Sequence, residues 1–259
     1  MMYIIATTAQ SRIKDYGYID EFLKDSGFVF IERKKRSVDE LIQIHHADAV
    51  VVCYSNGPVL YTGKDKFFFH PSMAKNRLAA YRQKAIPDPL VESCQIKPNE
   101  EFLDCTLGLG ADAIVASYFT PEGKVIGLES SPAIAPIVKW GMKLYNSQMG
   151  WLNEAIKRIK VINSDHYDFL RNTPDNSFDT IYFDPMFRQP ILKSQAISPL
   201  RTLANPQALS KAAVEEACRV ARKRVVIKEL VAGNEFKRLG FKPIISSKHR
   251  KIAFGIIEV

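Results

Sequence analysis

Residues 103–113 read LDCTLGLGADA. A short apolar run ends in Asp104, and the glycines at 108 and 110 with Ala113 fit the loose pattern G-x-G-x-x-G/A. That pattern opens a helix directly after a strand in nucleotide-binding folds. On a dinucleotide reading, Gly108 makes the tight turn, Gly110 lets the backbone approach a pyrophosphate, and Glu129, about twenty residues on, takes ribose hydroxyls. Asp104 and Asp112 argue otherwise, because carboxylates at such a loop repel a pyrophosphate and suit a ligand with an ammonium and a sulfonium. The carboxylate of that ligand can still use the helix N-terminus.

Working outward from the loop, the pattern from about residue 98 is a regular alternation. EFLDCTL reads as a strand and ADAIVASYF as a helix; KVIGLES is a strand followed by a helix beginning near Pro132. IKVINSD leads to HYDFLRN, FDTIYFDP to a loop, and NPQALSKAAVEEACRVA to the strand RVVIKEL and the short helix GNEFKRLG. Alternation of this kind predicts a doubly wound parallel α/β sheet with binding residues at the carboxyl ends of its strands. KPIISS and IAFGIIEV are separated only by KHRK, too short for a parallel crossover, so they should form an antiparallel hairpin.

The residues before this sheet form a small α/β segment with no nucleotide motif. MMYIIATT, FVFIER, DAVVVCYS, PVLYT and KFFFH read as strands, residues 15–26 as a helix, and SVDELIQIHH as a helix opened by a capping box. HPSMAKNRLAAYRQKA is a helix that IPDPL breaks. The expected division is residues 1–75 as a small N-terminal α/β domain and residues 76–259 as the main domain.

Composition narrows the class. Hydrophobic residues make up 46% and charged residues 25% of the chain, as in soluble globular proteins. No apolar run approaches the ~20 residues of a membrane span, and the N-terminal stretch lacks the features of a signal peptide, so a cytoplasmic protein is expected. Cys53, Cys94, Cys105 and Cys218 form no C-x-x-C pair, and the five histidines lack metal-like spacing, so no metal is expected. The net charge is +8, with basic clusters ERKKR, KRIK, RKR and KHRK, which points to a polyanion partner.

Each strand end carries a candidate. Asp104, with Thr106 in the loop behind it, would meet the cationic part of the ligand. Glu129 offers two acceptor oxygens to the two hydroxyls of a ribose. Asp165 could meet an adenine amino group, cap HYDFL, or do both. In YFDPMF, the Asp184 carboxylate and the Pro185 carbonyl can accept the hydrogens of an exocyclic amine and hold its nitrogen toward a methyl donor. Phe187 offers a ring to a flipped base, worth about 1–3 kcal/mol. Arg188 and Lys228 are candidate phosphate contacts on the substrate side; Lys228 reads equally as a snorkelling strand-end lysine.

These segments together resemble a known family. DCTLGLGADA, GLESSP, DHYDFL, YFDPMF and RVVIKEL, with FFFHPSMAKNR ahead of them, are similar to the RsmJ-type bacterial methyltransferases over about residues 66–230. A parallel sheet ending in one reversed strand likewise resembles the class I S-adenosylmethionine (SAM) methyltransferases. D-P-x-F is similar to the D/N-P-P-F/Y signature of enzymes that methylate nucleobase amino groups. The resemblance implies a Rossmann-like class I sheet, SAM as cofactor, and a guanine 2-amino group in small-subunit ribosomal RNA or its ribosomal particle as target. Carried over by position, Ala111, Asp112, Glu129, Ser130, Asp165, His166 and Asp184 would line the cofactor pocket. Ala111 and Ser130 stand where that family usually has arginine. A nicotinamide- or flavin-dependent oxidoreductase, a non-catalytic RNA-binding protein on the same scaffold, and a methyltransferase of proteins or small molecules stay open at this level.

Overall fold

The computed structural model describes residues 2–9, 17–63, 65–185, 203, 207–231, 233–244 and 251–259. Two sheets organise them. The first contains β1 (Ile4–Thr8), β2 (Val29–Phe30), β3 (Ala49–Tyr54), β4 (Gly57–Thr62) and β5 (Asp65–Phe67), in the order β2-β1-β3-β4-β5. β1 pairs in parallel with β2 and β3, while β3-β4-β5 is an antiparallel meander. Helices α1 (Ile19–Ser26) and α2 (Val38–His45) belong to this sheet's connections. The predicted capping box is present: Ser37 accepts the Glu40 N–H, and the Glu40 carboxylate accepts the Ser37 N–H.

The second sheet has seven strands in the order β11-β12-β10-β9-β6-β7-β8. They are β6 (Glu101–Asp104), β7 (Lys124–Glu129), β8 (Ile159–Asn163), β9 (Phe178–Phe183), β10 (Ala221–Leu230), β11 (Lys242–Ile244) and β12 (Ile252–Glu258). The β8-β7-β6-β9-β10 block is parallel, and β12 runs antiparallel to both β10 and β11. The expected C-terminal hairpin is therefore seen, with its connection outside the described residues. The strand order reverses between β6 and β9, and at such a switch point a doubly wound sheet opens a crevice at its carboxyl edge.

The helices are α3 (Ser72–Lys84), α4 (Pro89–Cys94), α5 (Ala111–Phe119), α6 (Ile134–Leu144), α7 (Gly150–Lys157), α8 (His166–Arg171), α9 (Lys211–Val220) and α10 (Glu235–Leu239). Two departures from expectation have local causes. IPDPL ends α3 but also starts α4, because Asp88 accepts the Leu90 N–H as N-cap and Pro89 sits at the first helical position, where its missing N–H costs nothing. The segment after Pro132 divides into α6 and α7; Asn153 ties down the connection by accepting the Ser147 N–H and donating to the Ser147 carbonyl.

One apolar core runs through both sheets, from Ile4, Phe22 and Val51 to Phe102, Ile137 and Tyr182. Its seam is α6. Trp140 packs against Tyr18 and donates to Asp25, Lys139 pairs with Asp25, and Lys143 with Glu21. Among the described residues no helix is long and apolar enough to cross a membrane.

Candidate active site

The LGLG loop lies at the switch point, between β6 and α5. Gly108 and Gly110 both take positive φ, +50° and +74°, the left-handed region that only glycine enters freely. A Cβ on Gly110 would also lie 2.2 Å from Met142 Cε. The turn frees the Gly108 N–H, which donates to Glu129 Oε2 at 3.1 Å, while the Ser131 N–H donates to Oε1 at 2.9 Å. Glu129, at the end of β7, is thus held by backbone donors on both oxygens, and the carboxylate keeps acceptor capacity for a further partner. Burial raises its carboxyl above the ordinary range against those backbone bonds.

Asp104 ends β6 and is 2% exposed. Its Oδ1 accepts the Thr106 N–H at 3.0 Å, and it makes no ion pair among the described residues. Burial pushes its carboxyl up to about 8. Thr106 also ties the loop to β9, because its hydroxyl accepts the Asp184 N–H at 2.6 Å.

Asp112 departs from the sequence expectation. It opens α5, but rather than presenting a bare carboxylate it lies inside a charge chain. Oδ1 receives Arg77; Oδ2 receives Lys228 Nζ at 3.0 Å and the Tyr182 hydroxyl at 2.9 Å. Burial alone would raise this carboxyl, but Lys228 and Arg77 outweigh it and hold it well below the usual carboxylate range. The argument for a cationic ligand therefore rests on Asp104 rather than on two free acids.

Lys228 Nζ also reaches Asp184 Oδ2, at 2.6 Å. Its side chain is 19% exposed and bridges two carboxylates, so the expected phosphate contact gives way to an internal ion pair. Burial would lower its pKa, and the two acids raise it. Burial pushes the Asp184 carboxyl up to about 6, with Lys228 opposing and Asp112 reinforcing that rise. At the far end of the chain, Arg77 holds Asp88 through two hydrogen bonds of 2.8 Å. The order is Asp88–Arg77–Asp112–Lys228–Asp184, alternating in sign.

The cleft beside this chain is lined by Asp104, Thr106, Gly108, Ala111, Asp112, Glu129, Ser130, His166, Asp184, Pro185 and Lys228. Gly110 shapes it from behind as the N-cap of α5. Asp165 does not line it; its Oδ1 accepts the Tyr167 and Asp168 N–H groups as the cap of α8. The neighbouring His166 does reach the cleft, edge-on to Phe183, and burial lowers its pKa against the pull of Asp165 and Asp168. Phe187 and Arg188 lie outside the described residues. Met73, Arg77 and Tyr182 were not singled out from sequence. Met73 and Arg77 stand four apart in MAKNR, the spacing that puts two side chains on one helix face, and that was the available signal.

A family model described as "Putative SAM-dependent methyltransferase" matches residues 68–256. The chain belongs to that family. This methyltransferase is 35% identical over 236 residues to "Uncharacterized protein YpiP" of Bacillus subtilis, covering 91% of each chain. It is 28% identical over 246 residues to "Ribosomal RNA small subunit methyltransferase J" of Buchnera aphidicola, covering 86% of this chain and 95% of the relative. A solved SAM-dependent methyltransferase from Neisseria gonorrhoeae shares the fold, with a TM-score of 0.65 and 15% identity over 98% of this chain and 95% of that one.

SAM is the cofactor, and the cleft of the methyltransferase fits it. Asp104 is a buried carboxyl with no ion-pair partner among the described residues and could accept from the ammonium group. Glu129 keeps acceptor capacity that could serve the ribose hydroxyls. Leu107, Leu109 and Leu128 add apolar wall. The dinucleotide alternative falls with the family.

Proposed function

We propose that this methyltransferase methylates an exocyclic amino group of a nucleobase, the guanine 2-amino group in small-subunit ribosomal RNA. The observation that carries the reading is Asp184-Pro185 at the carboxyl end of β9, lining the cleft beside Asp104, with the Asp184 backbone pinned by Thr106. The names of relatives such as the Buchnera protein, and the net charge of +8, support RNA as the substrate.

SAM supplies an electrophilic methyl group. The target base must leave its stack to reach the cleft. The Pro185 carbonyl and Asp184 Oδ1 accept the hydrogens of its amine and orient a nitrogen whose lone pair is drawn into the ring. Once the nitrogen carries the methyl group, its surplus proton would pass to Asp184 or to water. A carboxyl raised to about 6 is suited to taking a proton near neutral pH. Lys228 holds the carboxylate in place through the transfer, and Phe187 stacks on the extruded base. Residues 1–75 form a small N-terminal domain of a cytoplasmic enzyme.

The test is single-turnover methylation of deproteinised small-subunit rRNA and of immature subunits, read by nucleoside mass spectrometry. Asp184→Ala is expected to fold and bind SAM while losing transfer almost entirely. Asp184→Asn is expected to retain more, because its amide oxygen still accepts one hydrogen bond. A folded Asp184→Ala enzyme working at the wild-type rate would refute the assignment.

A further inference from the structure

In Phe67-Phe68-Phe69 the side chains alternate: Phe67 and Phe69 are buried, and Phe68 is turned outward, 39% exposed. The period-2 alternation of extended chain sets Phe68 on the outer face. Lys66 Nζ lies 5.8 Å from the Phe68 ring centroid, and the His70 ring packs on it at 5.5 Å. Five residues on, Met73 is 51% exposed and lines the SAM cleft. Five chain steps span at most about 17 Å, so the backbone of Phe68 lies within that reach of a cleft-lining residue.

The helix that follows adds a second observation. α3 is 13 residues long but buries only Ala74 and Leu78. Over residues 65–87 the one acidic residue is Asp65, against Lys66, Lys75, Arg77, Arg82 and Lys84. Arg77 is held by Asp88 and Asp112, and Arg82 donates to the Tyr118 hydroxyl; Lys66 and Lys75 form no ion pair among the described residues. Tyr81 and Ile86 complete an exposed apolar set within this cationic segment.

We propose that the Lys66–Phe68–Met73–Lys75 strip is a docking surface for single-stranded RNA that leads into the cleft. An unpaired base stacks on Phe68, backed by His70, while Lys66 and Lys75 contact the flanking phosphates. Aromatic rings interleaved with cations are the chemistry that holds a single strand without reading its sequence. This rests on the nucleobase reading above and adds where the substrate strand lies.

The experiment measures binding of a labelled single-stranded RNA of about a dozen nucleotides across a salt series, alongside calorimetry with SAM. Phe68→Ala is expected to weaken RNA binding about 5- to 150-fold, with SAM affinity and melting temperature unchanged. Phe68→Trp is expected to restore it. Lys66→Ala with Lys75→Ala should flatten the salt slope by about 1.4, at about 0.7 per phosphate contact on single strands. A wild-type enzyme that binds and methylates rRNA, with Phe68→Ala within about twofold of it in RNA affinity, overturns the docking surface alone. A wild-type enzyme that binds no RNA overturns both this surface and the nucleobase reading.

Discussion

Replacing Asp104 by asparagine separates the cost of burying a charge from the use made of it. Asp104 is 2% exposed, accepts the Thr106 N–H at 3.0 Å and has no ion-pair partner among the described residues. Burial moves its carboxyl from the ordinary 3.8 to about 8. At about 1.36 kcal/mol per pH unit that displacement corresponds to roughly 6 kcal/mol. The effective dielectric constant of real protein sites, well above that of a dry interior, makes this an upper bound, and about 2–4 kcal/mol is expected. The folded chain binds this proton more tightly than the unfolded chain does. The contribution to stability is therefore full below about pH 4 and is lost progressively as pH rises to about 8. Asp104→Asn keeps an acceptor for Thr106 and carries no charge. Without SAM it should melt with the wild type near pH 4 and several degrees above it at about pH 8–9, at about 2–4 °C per kcal/mol for a chain of this size. SAM affinity should fall about 10- to 150-fold, since a hydrogen bond to a charged group contributes about 1.5–3 kcal/mol. Calorimetric melts across pH and isothermal titration with SAM measure both effects. Melts of variant and wild type that run parallel from about pH 5 to 9 would refute the burial argument, and unchanged SAM affinity would remove Asp104 from the ammonium site.

The charge chain and the opposite end of the sheet give two further predictions. Lys228→Met removes the cation shared by Asp112 and Asp184; it should cost about 2–4 kcal/mol of stability and move the acidic limb of the methylation pH profile upward from about 6, because burial and Asp112 then raise Asp184 unopposed. A limb that stays in place in single-turnover rates would show that Lys228 does not govern Asp184. Burial would raise Asp179, but Arg222, the Glu101 N–H and Lys223 outweigh it and lower its carboxyl to about 2. Its stabilisation is present above about pH 4 and lost as pH falls toward 2, so Arg222→Ala should flatten the acid limb of stability in denaturant melts, and an unchanged limb would exclude the pair.

The elements that sequence alone determined are those set by near neighbours. The glycine turn is legible because only glycine enters positive φ freely, and the Ser37 capping box because its partners lie three residues apart. The C-terminal hairpin follows from a connection too short to cross over. Asp104, Glu129 and Asp184 were placed by the rule that strand ends of a doubly wound sheet form the crevice, which needs only the alternation of elements. The tertiary structure decided which of those acids are free. Arg77 meets Asp112 across 35 residues, and Lys228 meets it across 116; no periodicity in the chain encodes either pair. Those contacts convert Asp112 from a ligand-facing acid into the centre of a charge chain and draw Lys228 away from the surface. They leave Asp104 and Glu129 as the cleft acids that form no ion pair among the described residues. Asp165 shows the same limit from the other side: its place at a strand end is local information, but whether an oxygen turns to α8 or to the cleft depends on how the helix packs, and Oδ1 turns to the Tyr167 and Asp168 N–H groups. Local patterns set where a side chain is anchored. Its charge and its partners come from residues that only folding brings near, because electrostatic and hydrogen-bond energies act through space and are indifferent to distance along the chain.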